Sequence, residues 1–109
     1  MSPRPTELLI EDILEAIEKI ESYTAGLDKH QFTQDDKTID AVVRNLEIIG
    51  EAASRLPEDF KSSHDEISWH QITGLRNRIV HEYFGVDAEI IWQILRKDLP
   101  ELNGKLKDI

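Results

Sequence analysis

The sequence predicts an all-α protein, a four- to five-helix and mostly up-and-down bundle. Three observations predict it. Apolar residues recur at helical spacing along most of the chain. No stretch alternates apolar and polar as a half-buried strand does, and β-branched runs are short. Gly, Pro and cap-forming side chains punctuate the chain at intervals of helix length. With 109 residues, the chain reads as one domain, 1–109, long enough to bury a modest core without staples.

The first helix is predicted from about Thr6 to about Ala25. Leu9, Ile13, Ile17 and Ile20 form one arc, with Ala16 and Tyr23 beside it; Glu7, Glu11, Glu15 and Glu18 lie roughly opposite. Gly26 ends it as a C-cap. Phe32 and Thr33 lead into a second helix, about Gln34 to Leu56, capped by Thr33 or Asp35. Its main stripe is Ile39, Val42, Val43, Leu46, Ile49 and Ala53, and Ala41, Ile48 and Ala52 form a narrower one. A helix apolar on two sides is either central in the bundle or shared with another subunit. Leu56-Pro57 closes it, and the polar stretch 58–66 reads as a loop with room for one helical turn. Ser68 caps a third helix, about Trp69 to Tyr83, stopped by Gly85. Asp87 caps a fourth, about Ala88 to Asp98, and Pro100 marks a kink or the first turn of a short final helix.

Composition excludes several classes of function. There is no Cys, so no disulfide framework and no thiolate metal site. No apolar run approaches the length of a membrane span, and the start Met1-Ser2-Pro3-Arg4-Pro5 lacks a signal-peptide core. A cytoplasmic protein with no membrane partner is expected. The net charge is -9, from 22 acids against 13 Lys and Arg, which opposes a broad nucleic-acid-binding surface. Residues 69–86 differ: Arg76 and Arg78 outweigh Glu82, leaving about one positive charge. No Gly-rich phosphate loop or nucleophile elbow is present. His30, His64 and His70 have no metal-site spacing; His70 reads as a surface residue, and Trp69 and Trp92 as core anchors.

The stretch that carries chemistry is Arg76-Asn77-Arg78-Ile79-Val80-His81-Glu82-Tyr83-Phe84-Gly85. On a continuous helix, Trp69, Ile72, Ile79 and Val80 flank Arg76 within about 60°, so Arg76 falls in the middle of the apolar stripe. Tyr83 lies two turns further along the same line. Asn77 and His81 are i,i+4 neighbours at the stripe's edge. An unpaired charge on a buried face is costly. Arg76 therefore pairs with an acid, Glu51 being a candidate, or faces a cleft open to water and anions. Arg76 and His81 stand ~7.5 Å apart along the axis, close enough for both to reach one phosphate. A purely architectural reading competes: a salt-bridged Arg76, a helix-bridging Asn77, an edge His81 and a core Tyr83.

The chain resembles the HEPN superfamily, and within it the HepT-like toxins of MNT–HepT toxin–antitoxin modules. The resemblance runs through residues 40–52 (DAVVRNLEIIGEA), Trp69, Gly74-Leu75-Arg76-Asn77, residues 81–87 (HEYFGVD), Trp92 and Leu99-Pro100. It implies an all-α homodimer whose two motif helices meet in a shared cleft. It implies a metal-independent endoribonuclease with no cofactor of its own, acting on RNA. The family's Arg-x4-His motif falls on Arg76 and His81, and its polar residue on Asn77. Its following tyrosine falls on Tyr83, the site at which the partner antitoxin, an MNT-type nucleotidyltransferase, uses ATP to attach AMP in a type VII module. The alternative is a non-catalytic HEPN module that binds a nucleotide or RNA and serves as partner of a nucleotidyltransferase.

Overall fold

The computed structural model describes residues 3–81 and 85–109, with backbone alone at Val80, His81 and Gly85. The all-α expectation holds. Helix α1 spans Thr6–Thr24. Ala25 and then Gly26 end it, with Gly26 at φ 79, a left-handed conformation that strains any residue with a Cβ. A short helix not anticipated from the sequence follows, α2 at Lys29–Thr33. Its start is a reciprocal capping box between Asp28 and Gln31, which satisfies backbone donors that would otherwise be lost at so short a helix. It exists to bury Phe32, which is 0% exposed.

The long helix α3 spans Asp36–Arg55, two residues later than the expected start. Asp35, not Thr33, caps it: its carboxylate accepts from the Thr38 N–H at 3.1 Å and the Thr38 hydroxyl at 2.7 Å. Leu56 is extended, as the residue before Pro57 must be. The stretch expected as a loop with room for one helical turn holds a six-residue helix, α4 at Glu58–Ser63, with Phe60 packed between His64 and Trp69.

Helices α1 and α3 form the principal pair. Leu9, Ile13, Ala16, Ile17 and Ile20 of α1 meet Ile39, Val42, Leu46, Ile49 and Ala53 of α3 in one buried cluster that the later helices join. Among the described residues Asn45 is the single buried polar side chain, and its Nδ2 donates to the Ala41 carbonyl one turn back at 2.9 Å. Trp69 is buried, its Nε1 donating to the His64 carbonyl at 3.0 Å. Trp92 is only partly buried, between Phe32 and the Arg96 guanidinium.

The third helix differs most from expectation. It is two short helices, α5 at Trp69–Thr73 and α6 at Leu75–Ile79, broken at Gly74. Gly74 takes φ -89 and ψ 7, and a Cβ there would stand 3.2 Å from the His70 carbonyl oxygen. The chain then leaves the helix at Val80 instead of continuing to Tyr83. Val80–His81 pairs antiparallel with Gly85–Val86, Val80 opposite Val86 and His81 opposite Gly85. The Ile79 carbonyl accepts the Asp87 N–H at 2.9 Å, so the carbonyl that would have carried the helix on is committed to the returning strand. Tyr83 lies outside the described residues.

Asp87 caps α7, Ala88–Gln93, as expected. A π-helical turn at Ile94–Asp98 joins it without interruption to α8, Leu99–Lys107. The Leu99 N–H reaches five residues back to the Ile94 carbonyl. The wider turn makes room for the Pro100 ring, which in a regular α-helix would clash with the carbonyl four residues earlier. Pro100 thus stands in the first turn of α8, as expected, and that helix continues directly from the π-helical turn.

Two outcomes test this account. A Cβ on Gly50 would meet the Ile72 carbonyl oxygen at 3.3 Å, so Gly50→Val should force α3 and α5 apart and destabilise the fold by about 1–3 kcal/mol in chemical denaturation. Hydrogen bonds from the Thr38 hydroxyl and N–H hold the Asp35 carboxyl below its ordinary value of 3.8. Its stabilisation is therefore complete above that value and lost as pH falls through the lower folded one. Asp35→Ala should lower Tm at neutral pH, and the gap from wild type should close in acid.

Candidate functional site: an open cleft beside α6

Helix α6 is barely more than one turn, and its orientation is set from two sides. Leu75 and Ile79, four apart, are 3% and 0% exposed and fix its inner face. Arg78 anchors its flank, with Nη1 2.9 Å from Oδ2 of Asp98 in the π-helical turn. Arg76 and Asn77 are left exposed. Arg76 is therefore not in the middle of the buried stripe. The sequence wheel assumed one helix running from Trp69 through Val80. The break at Gly74 and the exit at Val80 remove both ends of that wheel, and the stripe recentres on Ile72, Leu75 and Ile79.

Of the two alternatives for Arg76, the cleft is the one realised. The second half of α3, the first half of α1 and the α5–α6 segment enclose an open cleft of about 560 Å³. Leu9 and Asp12 line it from α1, and Thr73 and Arg76 from the other wall. Its α3 wall carries Arg44, Glu47, Ile48, Glu51, Ser54 and Arg55. Glu51 shares the cleft with Arg76, yet among the described residues the two form no ion pair. Asp12 is engaged by Arg4 through two hydrogen bonds, at 2.8 and 3.0 Å, which raise the Arg4 pKa above its ordinary value. Three arginines then face Glu47 and Glu51, a local excess of one positive charge in a chain of net charge -9. Such a cleft accepts an anion without a buried unpaired charge.

Asn77 is exposed but is not part of the cleft lining. His81 belongs to the two-residue strand that follows α6, and its side chain lies outside the described residues. Because α6 ends at Ile79, Asn77 and His81 are not i,i+4 neighbours on one helix. The structure brings Arg76 and Asn77 onto one helix and sets the His81 backbone directly after it. Arg44, Glu47 and Arg55 as cleft residues were not singled out from the sequence, although their helical spacing with Glu51 was legible there. Among the described residues no three His, Asp or Glu side chains are grouped as a metal ion would require, and no helix is long and apolar enough to cross a membrane.

Comparison with known proteins bears on this cleft. Residues 13–109 match the family model described as Ribonuclease HepT-like. A protein named "Probable ribonuclease HepT" from Thermococcus cleftensis is 45% identical over 100 residues, covering 92% of this chain and 91% of the relative. A protein named "Putative RNase TTE0752" from Caldanaerobacter subterraneus subsp. tengcongensis is 40% identical over 108 residues, covering 99% and 94%. A third, "Putative RNase MJ0127" from Methanocaldococcus jannaschii, is 37% identical and covers 100% of this chain and 93% of the relative. No solved structure matches the chain significantly. With nearly its whole length matched by the family model and by these relatives, the chain belongs to the Ribonuclease HepT-like family.

Proposed function

We propose that this protein is a metal-independent endoribonuclease, the toxin of a type VII toxin–antitoxin module, acting in the cytoplasm as a homodimer. The observation that carries the reading is the exposure of Arg76 on an open, locally cationic cleft in a chain of a ribonuclease family. A structural arginine would have been paired, as Arg78 is with Asp98.

RNA supplies its own nucleophile, so the reaction needs proton transfer and charge stabilisation. His81, adjoining α6, takes the 2′-OH proton; the 2′ oxygen attacks the adjacent phosphorus in line. The planar fork of Arg76 holds the phosphorane oxygens as their charge grows. Asn77 orients His81 or bonds the phosphate. The 5′ oxygen leaves with a proton from the His81 of a second copy, giving a 2′,3′-cyclic phosphate and a 5′-OH. One imidazole cannot easily serve both oxygens, which is the chemical reason for a dimer. The protein needs no cofactor for these steps.

Control falls to a partner, an MNT-type nucleotidyltransferase antitoxin. The Tyr83 oxygen attacks the α-phosphorus of ATP bound by that partner, pyrophosphate leaves, and AMP remains on the tyrosine. Tyr83 follows His81 by two residues, so the added phosphate and nucleoside lie beside the catalytic groups and compete with RNA for them.

Purified protein should cleave total RNA in EDTA and leave cyclic-phosphate ends. His81→Ala should lower the rate ~10²–10⁴-fold, and Arg76→Ala ~10²–10³-fold. Equal cleavage by wild type and His81→Ala would remove His81 from the chemistry. No cleavage by folded, unmodified wild type would favour a binding module that serves a nucleotidyltransferase, a role the acidic charge suits. Tyr83→Phe should remain toxic and refuse AMP from the antitoxin; undiminished labelling by radioactive ATP would place the modification elsewhere.

A further inference from the structure

Helix α6 carries two arginines on opposite sides of its buried face. With Leu75 and Ile79 turned inward, Arg76 and Arg78 stand about 80° to either side of that face. Arg76 lines the open cleft toward α1 and α3. Arg78 meets Asp98, Nη1 to Oδ2 at 2.9 Å. A roll of α6 about its own axis therefore moves both arginines at once. Swinging Arg78 outward, away from Asp98, swings Arg76 inward toward the wall of the bundle.

Packing alone leaves that roll loosely set. Five residues are too few to hold a helix by its own hydrogen bonds. Leu75 and Ile79 are the buried side chains of α6, and apolar burial is non-directional. On the Arg78 side a cavity of about 70 Å³ lies between the α5–α6 segment, the π-helical turn and α8. Ile72, Leu75, Arg78, Ile94, Asp98 and Leu102 are part of its lining. A helix beside unfilled space can shift toward it without meeting close-packed atoms. The contact of Arg78 with Asp98 spans this loosely filled side. Among the described residues it is the one ion pair that α6 forms.

We infer that Asp98 is a positioning residue for the reaction: by holding Arg78 it fixes the roll of α6, and with it the place of Arg76 against the phosphate. The inference rests on the ribonuclease reading above and adds to it a residue outside the lining of the Arg76 cleft. The lever is short and steep. At the ~6 Å radius of a helix's side-chain surface, a roll of ~10° moves a group by ~1 Å. A misplacement of that size costs a reaction up to ~10²-fold. Arg76 acts on charge that develops only in the transition state, so its misplacement falls on kcat and spares KM.

The test is a double-variant cycle on the full chain, with thermal melts alongside. Asp98→Asn should lower kcat about 10–10²-fold and leave KM within about two-fold of wild type. Its Tm should fall by no more than about 5 °C, because a pair with side chains 39% and 32% exposed adds little to global stability. On an Arg76→Ala background the same change should cost less than about two-fold, since Asp98 acts through Arg76. Exchanging the pair, Arg78→Asp with Asp98→Arg, should bring kcat back to within about five-fold of wild type. Hydrogen exchange gives a readout free of RNA. The Arg78 N–H, bonded to the Gly74 carbonyl at 3.2 Å, should exchange at least about five-fold faster in Asp98→Asn. An unchanged kcat, an additive loss in the cycle, or exchange indifferent to Asp98→Asn would each overturn the inference. A wild type that cleaves no RNA, with α6 still loosened by Asp98→Asn, would count against the catalytic reading and leave the hold of Asp98 on α6 standing.

Discussion

The backbone of α5 rests directly on Gly50 of α3, and the position of the site follows from that contact. The space a Cβ would fill at Gly50 is bounded by the carbonyls of Ile72 and Thr73. Glycine is normally a cost within a helix, about 1 kcal/mol against alanine. Here it lets two backbones approach closely, and the next residue, Glu51, comes to face the same cleft as Arg76. With a side chain at residue 50, α5 would ride higher on α3, and α6 and its arginine would move with it.

From that contact outward, a one-turn helix is held tightly enough to present chemistry. Helix α6 is too short to be stable alone. Its inner residues Leu75 and Ile79 are part of the common core, and Arg78 is tied to Asp98 in the π-helical turn. Pro100 widens that turn, and the widened turn places Asp98 where Arg78 reaches it. The neighbouring Arg76 and Asn77 are left without such anchors, in the open. Of adjacent polar residues on one short helix, one serves architecture and two stay available to a ligand.

The charge of the molecule is divided in the same way. The acidic row of α1 is solvated and supports solubility. Arginines gather where α1, α3 and α6 surround the cleft, and Asp12, which would have offset them, is occupied by Arg4. In a chain of net charge -9 this cationic field acts only at short range, since screening confines each charge's reach to ~8–10 Å at physiological salt.

The sequence by itself determined the helical class, the apolar faces of α1 and α3, the bounds of those two helices and the starts of α5 and α7: Gly26, Asp35, Leu56-Pro57 and Asp87 act on their immediate neighbours, so their effects are written locally. It also marked the segment of Arg76, Asn77, His81 and Tyr83, through residue types rare in such company. The short α2 was hidden because five residues give too little periodicity to read, although its Asp28–Gln31 box was present. Only the tertiary structure decided where the third helix breaks and which way Arg76 points. The break at Gly74 goes with the close seat of α5 on Gly50. The exit at Val80 goes with the Asp87 N–H claiming the Ile79 carbonyl. The first contact joins residues distant along the chain and the second joins α6 to the returning strand, and a helical wheel drawn through one segment contains neither.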